Sequence, residues 1–565
     1  MSEQPGFVGE PTSPKRRAGR VLGIALALAF VLTAGSVAVA LFALRGSPET
    51  LSKMVPADVD VYLSVNLDPG LGQKAAAARL ASKFPSLRPA EIRKNVENVL
   101  DEMVRSVSSD LSFRRDVEPW LGSQVAVIGR VQQNDVAVLL ASKDDGAAEA
   151  ALARAVAHSG DHWSTTVHAG VTVHVGPRDG PPAGAYALVD HAVVFGSSQT
   201  IVESVIDADA ATSPRLTDTP SYRQTVASLP TSRLALVYMN YPSLVKSLRG
   251  AALSSGLFGS VSGGVSLDAY RGLGVAVSAE SAGLALDVSI PLDRSKLSPD
   301  DLAMLSDPRD ARPLLAWVPA RAFAFVAGPR APARVFLQTL ENTPGLPPGI
   351  ARELRRLGVT GPNGLETHLT GDLVIEGSQG VSSPAGAILI GTDDEAVMSR
   401  TLERVARLLT SRTLTDVASG RSTVPPTQGY SSAVLTKRTH VRWATLTHDG
   451  VSIRYVARGG PPGLRPAYAV TGGMGIIASS PEEMVAVLDT KAGAPSVATA
   501  PKFIAAISHG GSTRGDVIYL DFESLVNLMS PSGQVPGDLR PLRTLIVTDH
   551  YAADRITERL FLSIK

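Results

Sequence analysis

Residues that most often bind metal ions or transfer protons are spread thinly along this chain. Four of the ten histidines fall close together, at His158, His162, His168 and His174. A Gly-Asp pair between the first two interrupts the helix that would align them. No carboxylate stands at the spacing of an HExxH zinc motif. We therefore predict no metal site and interpret these histidines as polar residues of turns and strands.

Two pairs of adjacent carboxylates each stand between an apolar strand-like run and a helix-like run, at Asp144-Asp145 and at Asp393-Asp394. An aspartate at that position typically accepts hydrogen bonds from the first backbone N–H groups of the helix. We interpret both pairs as helix caps. The alternative is a role in divalent-cation binding or general acid–base chemistry.

Three serine or arginine motifs resemble catalytic or adhesive elements. Ser243 to Lys246 spells SxxK, but no SDN or KTG element accompanies it, and the matching later segment has Asn527 in place of the lysine. Ser508 to Ser512 resembles an oxyanion loop, but the chain contains no GxSxG nucleophile motif. Arg514 to Asp516 spells an RGD tripeptide before a strand, where a turn is the simpler interpretation. We predict no catalytic residue.

Composition excludes several further classes of site. The chain of 565 residues has no cysteine, so disulfides, thiolate metal sites and cysteine nucleophiles are excluded. A net charge of +1 argues against a nucleic-acid-binding face, and no phosphate-binding glycine motif is present. Trp120, Trp163 and Trp443 are interpreted as core or strand-face aromatics. We predict no cofactor and no nucleic-acid partner.

An uncharged run from Val21 to Leu44 predicts a transmembrane helix. Its 24 residues rise by about 36 Å as a helix, enough to cross a hydrocarbon core of about 30 Å. Basic residues cluster on the N-terminal side, which predicts a cytoplasmic N-terminus and an extracytoplasmic body. The alternative is a signal peptide cleaved after Ala40.

The body contains segments that recur in one order. MVPADVDVYLSV from Met54 matches WVPARAFAFVAG from Trp317, and WSTTVHAGVTVHV from Trp163 matches WATLTHDGVSIRY from Trp443. YALVDHAVVFGSSQ from Tyr186 likewise matches YAVTGGMGIIASSP from Tyr468. Alternating apolar residues and short turns at the matched positions predict an antiparallel sheet, and amphipathic runs predict helices.

These patterns predict an α+β fold: two tandem copies of a mostly antiparallel sheet with helices on one face, after one N-terminal transmembrane helix. We place a disordered basic tail at 1–20, the transmembrane helix at 21–44, the first extracytoplasmic unit at 50–295 and the second at 313–565.

The segment VPADVDVYLSVNLDPG, followed by DVEPWLGSQVAVIG, resembles an uncharacterised actinobacterial family, domain of unknown function 3352. The resemblance implies a short basic tail, one membrane helix and a large extracytoplasmic body. It implies no catalytic residue, ligand or reaction.

The molecular function is therefore unknown from the sequence. A noncatalytic cell-envelope binding or structural module, anchored in the lipid bilayer by Val21 to Leu44 with an envelope protein or polymer as partner, fits the patterns best. The alternatives are a cell-wall hydrolase with an unrecognised site and a carrier of lipids or small molecules that uses a cleft between the copies.

Overall fold

The computed structural model describes most of the chain after the predicted membrane segment. The described residues are 49–85, 112–159, 162–176, 184–247, 267–306, 308–329, 355–361, 363–380, 384–411, 441–459, 464–529 and 535–565. Within these ranges, no helix is both long enough and apolar enough to cross a membrane. The predicted transmembrane segment, Val21 to Leu44, and the basic tail lie outside the described residues.

Twenty strands form in the described ranges, some from runs in which apolar residues alternate with polar ones and others from nearly continuous runs of small, β-branched or aromatic apolar residues. They are β1 (Val61–Asn66), β2 (Leu121–Arg130), β3 (Asp135–Ser142), β4 (Ser164–His168), β5 (Val171–Val175), β6 (Ala185–Val189), β7 (Ala192–Gly196), β8 (Ala235–Met239), β9 (Leu273–Glu280), β10 (Gly283–Pro291), β11 (Ala322–Gly328), β12 (Leu369–Gln379), β13 (Pro384–Thr392), β14 (Arg442–His448), β15 (Val451–Arg458), β16 (Ala467–Thr471), β17 (Met474–Ala478), β18 (Val517–Asp521), β19 (Leu542–Ala552) and β20 (Arg555–Ile564).

Eleven α-helices connect these strands in the same ranges. They are α1 (Leu71–Ala81), α2 (Asp145–Ser159), α3 (Gln199–Asp209), α4 (Pro220–Val226), α5 (Tyr241–Ser247), α6 (Pro299–Ser306), α7 (Arg312–Leu315), α8 (Glu395–Ser411), α9 (Pro481–Lys491), α10 (Pro501–Gly510) and α11 (Phe522–Met529).

The chain divides into two compact units. Unit 1 holds the described residues from 49 up to Thr219 together with Pro230–Tyr238 and Ala276–Ser281. Its strands pair in the order β4, β5, β6, β7, β3, β2, β1 and β8. One core cluster of this unit packs Trp120 against Leu152, Tyr186 and Val193.

Unit 2 holds Pro220–Leu229, Met239–Val275 and Ala282–Lys565. Its strands pair in the order β14, β15, β16, β17, β13, β12, β11, β18, β19, β20 and β10. The first eight positions repeat the pairing order of unit 1. The main core of unit 2 includes Phe325, Ile476, Phe503, Tyr519 and Phe561.

The predicted fold class of two separate α+β copies after a transmembrane helix is wrong. Every described register is antiparallel, and the strands are assigned to a single 20-stranded sheet. Strand β10, which lies near the end of the predicted first unit at 50–295, pairs with β20 from Gly283↔Ser563 to Pro291↔Arg555. An open edge strand leaves its N–H and C=O groups unpaired, so these two similar strands gain hydrogen bonds by pairing with each other.

Helices α3 and α9 show how the local sequence sets these elements. Each begins after a serine, Ser198 or Ser480, whose side chain accepts a hydrogen bond from the backbone N–H three residues later. Such a cap stabilises a helix by about 1 kcal/mol. The apolar residues of each helix then recur at spacings of three and four, which buries one face. In α3 these residues are Ile201, Val202, Val205 and Ile206, and in α9 they are Met484, Val487 and Leu488.

Candidate functional site

A small polar pocket in unit 1 lies where the described chain begins. Its volume is about 470 Å³, including space that is open to solvent. Strand β1 contributes alternate side chains to it, strand β2 contributes one amide, and the segment that leads into β8, together with the start of β8, completes the lining. The lining residues are Glu49, Ser64, Asn66, Gly70, Gln124, Thr231, Ser232, Arg233, Leu234, Ala235 and Leu236.

Glu49 is held in this polar pocket by hydrogen bonds to three side chains. Its carboxylate accepts hydrogen bonds from the guanidinium of Arg233 at 2.5 Å, the hydroxyl of Tyr62 at 2.9 Å and the hydroxyl of Ser64 at 3.2 Å. Both members of the ion pair are mostly buried, with side chains 19% and 15% exposed. A bonded, part-buried pair of this kind holds its backbone more firmly than an exposed pair does.

Gln124 secures the next turn of the chain. Its side-chain oxygen accepts hydrogen bonds from the backbone N–H of Thr50 at 2.8 Å and of Leu51 at 3.2 Å. The entering segment is therefore tied to β2 as well as to β1. Sequence analysis missed this site because Glu49 and Arg233 are 184 positions apart.

The chemistry available in the polar pocket is that of binding. The Ser64 hydroxyl donates to a carboxylate that Arg233 already neutralises, so it has no strong base to accept its proton. No histidine is among the residues that line the pocket. Several hydroxyl, amide and guanidinium groups line one small pocket, and such groups are suited to hydrogen-bonding a polar ligand.

The aspartate pairs predicted to cap helices do so. Asp144 accepts a hydrogen bond from the Ala147 N–H at 3.0 Å, and Asp394 accepts one from the Val397 N–H at 2.9 Å. The latter bond is the largest cause of the lowered pKa of Asp394. The neighbouring residues of the two pairs instead contact imidazoles: Asp145 lies 2.6 Å from His191, and Asp393 lies 2.9 Å from His368.

Ser524 and Ser508, two of the serines at these motifs, make local hydrogen bonds. The side chain of Lys246 lies outside the described residues, whereas Ser524, at the matched position to Ser243, donates its hydroxyl proton to Asp521 at 2.8 Å. In the Ser508 to Ser512 segment, the Ser508 hydroxyl donates to the Ala505 carbonyl oxygen within α10. Asp516, from the RGD tripeptide, lies beside Tyr551 in the interior of unit 2.

The tryptophans lie among other aromatic or apolar residues. Trp120 is buried, and its indole N–H donates to the carbonyl oxygen of Asp116. Trp163 contacts Tyr186 with ring centroids 5.3 Å apart, and Trp443 contacts Tyr468 at 5.6 Å. These contacts agree with the interpretation of the three tryptophans as core or strand-face residues.

Two of the histidines make equivalent contacts. His168, at the end of β4, lies with Nε2 2.7 Å from an Asp207 carboxylate oxygen on α3. His448, at the end of β14, lies 2.6 Å from Asp489 on α9. The hydrogen bond to Asp489 is the largest cause of the raised pKa of His448. Each pair fastens a hairpin turn to a helix.

The other histidines of the early cluster do not join His168. His174 stacks on Tyr186 with ring centroids 4.5 Å apart, and its burial lowers its pKa. His162 is exposed, and the side chain of His158 lies outside the described residues.

Unit 2 also buries a pair of glutamates that sequence analysis missed. Glu376 on β12 is 4% exposed, and Glu483 on α9 is 1% exposed. Arg321 donates to Glu483 at 2.6 Å, and the Ser378 hydroxyl donates to Glu376 at 2.6 Å. Burial, together with the charge of Glu483, raises the pKa of Glu376 to about 8. Glu376 is therefore mostly protonated at neutral pH.

A second set of buried acids lies around Tyr551. The Tyr551 hydroxyl is 3.1 Å from Asp549 and 3.4 Å from Asp516. Burial raises the pKa of Asp549 to about 8 and that of Asp516 to about 6. These residues pack in the interior, so their raised pKa values report the cost of burying charge.

Comparison with solved structures gives only a weak likeness. Crystal form IV of TP0453 is 17% identical, and the match covers 43% of this chain and 81% of that one with a TM-score of 0.21. Crystal form III of TP0453 is 16% identical, with coverage of 46% and 85% and the same TM-score.

No curated protein matches the chain. The family model described as "Protein of unknown function (DUF3352)" matches residues 17–544, nearly the whole sequence. The family resemblance read from the segments after Val55 and Asp116 is thereby confirmed at the level of the family, and the chain belongs to this family of proteins of unknown function.

Proposed function

We propose that this protein is a noncatalytic binding module of the cell envelope, anchored in the membrane by Val21 to Leu44 with its body outside the cytoplasm. The observation that carries the proposal is the fixed position of Glu49 in the polar pocket of unit 1. Glu49 lies five positions after Leu44. Five residues span at most about 18 Å, so an anchor ending at Leu44 keeps the pocket next to the bilayer.

The lining of the polar pocket indicates the class of ligand. Sites for lipids and drug-like molecules are mostly apolar, with a few polar groups that orient the ligand. This pocket has the opposite balance, since Ser64, Asn66, Gln124 and Arg233 all contribute polar atoms. A polar envelope polymer, such as a glycan strand that presents one sugar ring to the pocket, fits that lining better than an acyl chain does.

The test uses the full chain in detergent or native membranes. We expect purified envelope glycan to retain the protein, and Arg233→Ala to weaken retention at least fivefold, because it removes the guanidinium and frees Glu49. Arg407→Ala, which removes an exposed guanidinium of unit 2, serves as the matched control. Equal retention of all three proteins contradicts binding at the pocket, and release of soluble sugar fragments contradicts a noncatalytic role.

The anchor is tested separately. Leu32→Arg places a charge near the centre of the apolar run, which costs about 3 kcal/mol for insertion. We expect this variant to leave the membrane fraction, whereas Thr33→Ala stays. In intact cells, added protease should digest the body of the parent protein; protection of the body contradicts an extracytoplasmic location.

A further inference from the structure

The hairpin between β14 and β15 brings a second carboxylate, and thus a third potential ligand, to one of the two His–Asp pairs. Asp449 and Gly450 form the turn with positive φ angles of 45° and 80°, the geometry of a tight two-residue hairpin. The turn holds His448 and Asp449 side by side at the tip of the hairpin. Asp489, near the end of α9, faces the same imidazole.

The three potential ligand atoms lie within the reach of one ion. His448 Nε2 is 2.6 Å from Asp489 Oδ1 and 3.8 Å from Asp449 Oδ2. All three ligand atoms lie within 4.8 Å of one another. Ligands at about 2.0–2.1 Å from a tetrahedral zinc ion are about 3.3 Å apart. To bind one ion, the hydrogen-bonded His448–Asp489 pair must therefore move apart by about 0.7 Å, and a rotation of the exposed Asp449 side chain must bring its carboxylate about 0.5 Å closer to the imidazole.

The equivalent pair in unit 1 lacks that third ligand. Ala169 stands after His168, where Asp449 stands after His448, and it adopts a similar φ of 48°. The additional carboxylate near His168 is Glu203, which lies 3.9 Å from the other ring nitrogen, Nδ1. It therefore cannot share one ion with the Nε2–Asp207 pair. The same scaffold thus offers two ligands in one unit and three in the other.

We propose that His448, Asp449 and Asp489 bind one divalent transition-metal ion of the Zn²⁺, Co²⁺ or Mn²⁺ class. One neutral imidazole and two carboxylates balance the charge of such an ion and leave a coordination position for water. Ca²⁺ and Mg²⁺ prefer all-oxygen ligand sets, so they bind more weakly here. The side chains are 27%, 77% and 46% exposed, so an ion reaches them directly from solvent.

Metal binding to the purified full chain, stripped with a chelator, tests the proposal. Calorimetry with Zn²⁺ and the visible spectrum with Co²⁺ should both give one equivalent. His448→Ala should abolish this binding. Asp449→Asn keeps a residue that favours the turn while it removes the charge, so it should weaken binding at least tenfold with an unchanged melting temperature. His168→Ala is the matched control and should bind one equivalent.

The reciprocal variant supplies the missing ligand in unit 1. Ala169→Asp gives His168 and Asp207 the carboxylate that the other pair has, so a second equivalent of Zn²⁺ should bind. A variant that stays at one equivalent contradicts the role assigned to the turn carboxylate. The proposal is overturned if the parent protein shows no saturable binding, or if His448→Ala and Asp449→Asn bind as the parent does.

Discussion

The two units fill the same buried position with opposite chemistry. Ile128 and Ile201 are fully buried in unit 1, whereas Glu376 and Glu483 are buried in unit 2. Ile128 pairs with Ala137 across β2 and β3, as Glu376 pairs with Ala387 across β12 and β13. Ile201 and Glu483 each donate their backbone N–H to the capping serine of α3 or α9.

This difference shows that the fold does not require polar groups at the position. In unit 1, two isoleucines occupy this position and are stabilised by apolar packing alone. In unit 2, a proton on Glu376 and the charge of Arg321 beside Glu483 offset the burial of two carboxyl groups. The glutamate pair is therefore a local addition to the scaffold, and its effect can be measured against the isoleucine pair.

A carboxyl group placed at the isoleucine position of unit 1 should change the free energy of unfolding most. Ile128→Glu buries a carboxyl group with neither a glutamate nor an arginine partner, and we expect it to lower the free energy of unfolding by about 4 kcal/mol. Denaturant unfolding followed by circular dichroism measures the change. Val167→Glu, at a position 70% exposed, should change it by less than about 0.5 kcal/mol. Equal effects of the two substitutions would contradict the assigned environment.

Removal of the Arg321 guanidinium, which balances the charge of Glu483, should have the second largest effect on the free energy of unfolding. Arg321→Ala leaves Glu483 without its charged donor, and we expect a loss of about 3 kcal/mol at pH 7, because the remaining buried charge is unpaired. Arg407→Ala breaks an exposed pair with Glu403 and should cost less than about 0.5 kcal/mol. A loss from Arg321→Ala as small as this control would show that solvent screens the Arg321 pair.

The proton held by Glu376 should make the free energy of unfolding depend on pH. The folded-state pKa of Glu376, about 8, lies above its usual value of 4.5. The stabilising contribution is therefore complete below pH 4.5 and is lost as the pH rises towards 8. Glu376→Gln keeps a donor and does not titrate. Between pH 5 and pH 8, the free energy of unfolding of this variant should therefore fall by about 3 kcal/mol less than that of the parent. Parallel pH profiles would show that Glu376 does not hold the proton.

Replacement of both buried glutamates of unit 2 by isoleucine should change the free energy of unfolding least. The double variant Glu376→Ile with Glu483→Ile should be about 1 kcal/mol more stable at pH 7, since apolar replacement of a buried charged pair is often neutral or stabilising. The gain is limited because Arg321 loses its partner, but its half-exposed side chain can be solvated. A double variant that fails to fold in thermal melts would show that unit 2 requires the pair.

Local features were predictable from the sequence, because adjacent residues determine them. The helix caps at Asp144 and Asp394 and the hairpin turns at Ala169-Gly170 and Asp449-Gly450 all follow from short-range rules for turns and helix starts. Strand alternation likewise indicated the antiparallel pairing.

Partners far apart in the chain were not predictable in the same way. The pairing of β10 with β20 was missed because the similarity of two strands does not say which neighbour each one takes. Glu376 and Glu483 are more than 100 positions apart, so no local pattern links them. One signal was available: the matched segments after Tyr186 and Tyr468 set Glu483 against an isoleucine, which marked a polar residue at a core position.

The pairing of β10 with β20 also has a consequence for how the protein is made. About 260 residues separate Pro291 from Arg555, and synthesis at about 5–20 residues per second takes roughly 15–50 s to cover them. Throughout that interval, the β20 side of strand β10 has no partner from its own chain. A nascent chain therefore exposes an unpaired, aggregation-prone strand edge throughout this interval. We expect folding to depend on chaperones, or on slow release from the ribosome, until the last strand emerges.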